Sequence, residues 1–158
     1  MAYHDELLEL ASGLAVKDSP TQADLRRAVS TAYYALSHLL IRETTLNWNR
    51  PSSRNALGRM FDHGLMKRVS DRVPDSNRMP YAGEDAEVTS GLRFVAKSFV
   101  DLQDLRHTAD YDNGAAINSL RACHCQWSRY DARVDFSQRA TGSLPARQLA
   151  QGSISQPS

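Results

Sequence analysis

Apolar residues recur along this chain at steps of three and four, and nowhere alternate with a period of two over a useful length. That spacing predicts helices packed on one another and no strands. The first helix is expected over Tyr3 to Val16, where Leu7, Leu10, Ala11 and Leu14 share a face. A short corner at Lys17-Asp18-Ser19-Pro20 then turns the chain into an antiparallel neighbour. The second helix, Ser19 to Glu43, is long and organises the rest. Ser19 suits its cap, Pro20 suits its first turn, and Asp24 lies three residues after Thr21. At about 100° per residue, Leu25, Ala28, Val29, Ala32, Leu36 and Leu39 form one broad apolar face. Arg27, Thr31, Tyr34 and His38 fall in a narrow line nearly opposite. A solvated helix back carries Glu, Lys and Gln more often than a cation, a hydroxyl, a phenol and an imidazole in register. The line is therefore a candidate second surface for a ligand or a partner.

Beyond Arg50-Pro51-Ser52-Ser53, a third helix is expected with Leu57, Met60 and Phe61 on its edge. His63-Gly64 reads as its C-terminal stop, where the helix dipole favours a histidine, and Leu65 to Val73 as a shorter piece. Pro74 to Asp85 reads as a loop within one domain. A fourth helix is expected from Ala86 to about Asp110, striped by Val88, Leu92, Val95, Ala96, Phe99 and Leu102. After the Asn113-Gly114 turn, Ala116, Leu120, Cys123, Trp127, Tyr130 and Val134 predict a fifth. Residues 138–158 lose all periodicity and read as a disordered tail. The expected architecture is thus an all-α, antiparallel up-and-down bundle of four to five helices over residues 1–137.

Composition narrows the function without naming it. Nineteen Lys and Arg against eighteen Asp and Glu leave no global field to attract nucleic acid or anionic lipid, so any such binding is local. No apolar run approaches the roughly 18 residues of a membrane span, and the N-terminus lacks a signal-peptide pattern. Two cysteines one residue apart are badly placed to staple a fold, which points to a reduced, cytoplasmic setting. Cys123-His124-Cys125 on a helix point about 100° apart and cannot close on one ion, so no metal or other cofactor is expected. Phosphate-binding glycine loops, serine-nucleophile motifs and metalloprotease histidine pairs are absent.

The chemistry concentrates in Leu105-Arg106-His107-Thr108-Ala109-Asp110-Tyr111-Asp112. Arg106 and Asp110, four residues apart, continue the line of Leu92 and Phe99, where the apolar stripe would otherwise run. His107 and Tyr111 pair one step around. The arrangement is either an Arg–Asp bridge tethering the helix end, or an anion site in which Arg106 grips phosphate beside His107 and Tyr111. His38, Tyr34 and Arg27 of the second helix are candidates to join Arg106 in one cleft.

RRAVSTAYYALSHLL followed by LQDLRHTADYD resembles the HEPN superfamily, in its bacterial branch with an Ala-Tyr-Tyr helix and an Arg-x-x-Ala-Asp-Tyr motif. The resemblance covers roughly residues 5 to 135. It implies a helical bundle that dimerises and, in many members, metal-independent endoribonuclease activity from an arginine followed, after four to six residues, by a histidine. Arg106 matches the arginine, but with four intervening residues the histidine position falls on Tyr111, and His107 lies in the wrong register. The expectation is a homodimer that binds RNA or a nucleotide through Arg27, Tyr34 and Arg106. Any weak cleavage would use Arg106, His107, Asp110, Tyr111 and His38. The alternative is a non-catalytic interaction module with a toxin–antitoxin or nucleotidyltransferase-type partner.

Overall fold

The computed structural model describes residues 2–73 and 85–118, and every regular element among them is helical. Five α-helices run in order: α1 (Tyr3–Ala15), α2 (Gln22–Leu46), α3 (Arg54–Gly58), α4 (His63–Ser70) and α5 (Ala86–Tyr111). A single 3-10 turn at Pro51–Ser53 leads into α3. The expected loop over 74–84, most of the expected fifth helix with Cys123 and Cys125, and the tail lie outside the described residues.

The start of α2 falls later than Ser19 because a better cap is available. Thr21 accepts from the Asp24 N–H, and Asp24 in turn accepts from the Thr21 N–H, closing a reciprocal capping box. Lys17 donates to the same carboxylate at 2.6 Å. These contacts, Lys17 first and then Thr21, hold the Asp24 carboxyl down at about 2. The helix also runs past Glu43 to Leu46.

α2 packs antiparallel to α1 on one side and to α5 on the other. Tyr3 at the start of α1 meets His38 far along α2, while Ala15 packs with Leu25 near its beginning. On the other flank Arg26 reaches the end of α5, and Tyr33 meets Phe99 in its middle. Ala11, Ala32, Tyr33, Leu36, Leu39, Phe99 and Leu102 form one core cluster; Ala15, Leu25, Ala28, Val29, Ala109 and Ile117 form a second. The whole expected apolar face of α2 is buried.

Two differences have a physical cause. His63-Gly64 begins a helix rather than ending one, since the Asp62 side chain accepts from the Leu65 N–H and caps α4. The dipole at that end disfavours a cation, reversing the role expected of His63. Residues 115–118 carry no regular structure where the opening of a helix is expected. Gln22 donates to the Ile117 carbonyl at 2.8 Å and accepts from its N–H at 3.0 Å, so the side chain ties the segment to α2. Arg26 donates to the carbonyls of Ala109, Asp112 and Ala115, satisfying groups that the end of α5 leaves without helical partners.

Phe99→Ala should therefore cost about 3–5 kcal/mol in denaturant unfolding, as for other fully buried aromatics. Thr21→Ala should cost about 1 kcal/mol. Because the folded Asp24 carboxyl titrates below its unfolded value of 3.8, its contribution is present above pH 4 and fades as pH falls toward 2. An Asp24→Asn variant should show a smaller loss of melting temperature across that window.

Candidate functional site

The motif on α5 and the tyrosines on α2 meet where the two helices pack. Tyr33 and Tyr34 are neighbours in sequence and so point about 100° apart around α2. Tyr33 enters the core, and Tyr34 stays half-buried at its edge. Between them and α5 lies Arg106. Its guanidinium carbon is 5.8 Å from the Tyr33 ring centre, 5.6 Å from that of Tyr34 and 5.6 Å from that of Tyr111. Three aromatic faces within about 6 Å are within cation–π range of one cation.

The polar contacts of Arg106 are specific. Nη2 donates to the Tyr34 hydroxyl at 3.1 Å. Nε lies 2.6 Å from Asp110 Oδ2, as an ion pair out of line for a hydrogen bond, so this buried N–H is not itself satisfied. Ser30 donates to the other oxygen of Asp110. Burial works against the charge on Arg106, but Tyr34, Asp110, Tyr111 and Tyr33 outweigh it and raise the guanidinium above its ordinary value. The side chain remains charged and 22% exposed. Burial likewise pushes the Tyr33 phenol up, so at neutral pH it is a hydroxyl.

The flanking residues are open. Tyr111 is 64% exposed, and His107, also on the surface, stacks on it at 5.0 Å between ring centres. Arg106, His107, Asp110 and Tyr111 thus share one end of α5, and Tyr34 joins them from α2.

Arg27, Tyr34 and His38 do share a hollow, but Arg106 does not line it. A cleft of about 310 Å³ opens between α1 and α2, walled by Tyr3, Leu7, Leu10, Arg27, Ser30, Thr31, Tyr34 and His38. Tyr34 is common to both places, its ring lining the cleft and its hydroxyl held by Arg106. His38 packs edge-on against Tyr3 at 4.9 Å, and burial, then the charge of His63, lowers its pKa below 6.5.

His63 is the residue that sequence reasoning passed over. Its Nδ1 is 2.8 Å from the Tyr33 hydroxyl, and its ring lies 6.1 Å from that of Tyr34. Its apparent position at a helix end hid this, and only the Asp62-x-x-Leu65 cap pattern hinted otherwise. Among the described residues no group of His, Cys, Asp and Glu is arranged to hold a metal ion. None of their helices is long and apolar enough to cross a membrane.

No family model, curated protein or solved structure matches the chain. The argument for function therefore rests on the site itself.

The His38 imidazole should titrate below 6.5 in an NMR titration, and His63→Gln should raise its pKa by removing a nearby positive charge. Since the folded pKa is the lower one, the unfolded chain takes up this proton first. Stability linked to His38 is then held above pH 6.5 and falls as pH drops through that value.

Proposed function

We propose that this chain is a HEPN-like helical domain, acting as a homodimer, whose Arg106 site binds the phosphate of RNA or of a nucleotide. The observation that carries the reading is a charged, partly exposed guanidinium set among three tyrosine rings, with Tyr111 and His107 open beside it. A guanidinium recognises phosphate through paired N–H donors. Exposed aromatic rings next to it offer stacking faces to unpaired bases. Ser30 and Tyr34 fix Asp110 and Arg106 from a second helix, so little side-chain entropy is lost when an anion arrives.

Cleavage at such a site would run by attack of the ribose 2′-hydroxyl on phosphorus. A base takes the hydroxyl proton, Arg106 balances the charge gathering on the phosphoryl oxygens, and an acid protonates the departing 5′-oxygen. The products are a 2′,3′-cyclic phosphate and a free 5′-hydroxyl. His107 is the imidazole nearest to Tyr111 in sequence and takes the part of the base, with the Tyr111 hydroxyl as the acid. Asp110 orients Arg106, whereas His38 lies in the neighbouring cleft, which Arg106 does not line.

A second reading has its own support. Asp110 already sits 2.6 Å from Arg106, and the pair with Ser30 and Tyr34 bolts α5 to α2. On that reading the domain is a non-catalytic module for a partner such as a toxin–antitoxin or nucleotidyltransferase-type protein.

Short single-stranded and hairpin RNAs, assayed with EDTA present, separate these readings. RNA binding should fall at least about tenfold in Arg106→Ala, corresponding to about 1.4 kcal/mol, and rise in Asp110→Asn as the guanidinium is released from its partner. Cleavage, where seen, should disappear in Arg106→Ala and persist in EDTA. Binding without cleavage leaves a non-catalytic RNA-binding domain. RNA affinity unchanged by Arg106→Ala would sink the phosphate-binding proposal and leave the interaction module.

A further inference from the structure

The cleft between α1 and α2 carries features that the packing of two helices does not require. Thr31 is only 5% exposed as a residue and lines the cleft between Arg27 and Tyr34. Arg27, at one end of the same cleft, has no acidic partner among the described residues. At the other end stand the His38 ring and Tyr3, which is 60% exposed. Leu7 and Leu10 supply an apolar wall.

These residues are graded along the cleft. Arg27, Thr31, Tyr34 and His38 lie on successive turns of α2, and at about 1.5 Å per residue they span roughly 16 Å. The cation stands at one extremity, the Thr31 hydroxyl one turn on, and the aromatic and imidazole faces at the far end. Arginine and a buried hydroxyl together suit one compact anionic group, and Tyr3, Leu7, Leu10 and His38 suit a flat or apolar body. The volume of about 310 Å³ is at the small end of ligand-sized cavities.

We propose that the α1–α2 cleft binds a small organic anion, a phosphate or carboxylate carrying an apolar or aromatic body, with the anionic group on Arg27 and Thr31 and the body against Tyr3, Leu7 and His38. The cleft shares Tyr34 with the Arg106 site but takes its anion on Arg27, so the two readings are tested by different variants.

Phenyl phosphate and 3-phenylpropionate are the probes, followed by amide and imidazole chemical shifts of the full chain, with inorganic phosphate as the comparison. At least one aromatic probe should give saturable shifts confined to the facing turns of α1 and α2, and the stronger of the two identifies phosphate or carboxylate as the preferred head group. Arg27→Ala should weaken binding at least about tenfold. An Arg59→Ala control, which removes an exposed charge elsewhere, should leave binding unchanged. Thr31→Val gives a second test: it should weaken binding about three- to fivefold while amide shifts away from the cleft stay unchanged. The proposal is overturned if neither aromatic probe saturates at about 10 mM, if inorganic phosphate binds as tightly as phenyl phosphate, or if Arg27→Ala and Arg59→Ala behave alike.

Discussion

A helix with neighbours on two sides keeps only a narrow solvated strip, and α2 is in that position. Eleven of its 25 residues are buried, and they run almost around it. Two close neighbours are tolerated only because Ala28, Ser30, Ala32, Ala35 and Ser37 are small, letting α1 and α5 approach while Tyr33, Leu36 and Leu39 fill the wider gaps. The polar residues on this helix are confined by the same geometry. Ser37 returns its hydroxyl to the Tyr33 carbonyl one turn back, and Ser30 is held by Asp110 across the interface. Thr31 is the member of this set that lines the α1–α2 cleft.

The electrostatics at the other edge of α2 follow from how Arg106 is surrounded. A half-buried guanidinium beside one carboxylate stands near neutrality as a pair, and on stability alone such a pair contributes little. Tyrosine rings change the balance, since they favour the cation without neutralising it. Tyr33, buried and protonated, supplies such a face at no cost in charge. Tyr34 supplies a second face and a hydroxyl acceptor, and also forms a wall of the neighbouring cleft. Any movement of that phenol is felt in both places.

The regular parts of this architecture were legible because they depend on period and caps. The apolar face of α2, the stripe of α5 and the corner after α1 all follow from spacing. The Arg106–Asp110 pair is legible for the same reason, since residues four apart on a helix meet whatever else the fold does. What stayed hidden depends on partners distant in sequence. Gln22 clasping Ile117 and Arg26 closing the end of α5 leave no local trace, because each is an ordinary polar residue near a helix start. His63 was misread through its glycine neighbour, when Asp62 two positions before that glycine was the stronger signal. The line of Arg27, Thr31, Tyr34 and His38 was visible as unusual, but its separation from Arg106 depends on how Tyr34 stands between them.

That separation bears on what chemistry the α5 motif can support. Acid–base work on a phosphodiester needs two proton-handling groups placed around the phosphate that a cation holds. From Arg106, one contact leads to the Tyr111 ring and a second, from Tyr111, to His107, all on the open side of α5. In the other direction contacts lead through Tyr33 to His63, but Tyr33 is buried and its hydroxyl is already engaged. The open run has an imidazole and a phenol where solvent can reach them, and the closed run has its phenol locked in the core. The proton-handling groups accessible at this end of the bundle are therefore those of the His107–Tyr111 side, with Tyr33 and His63 holding the guanidinium's aromatic support in place.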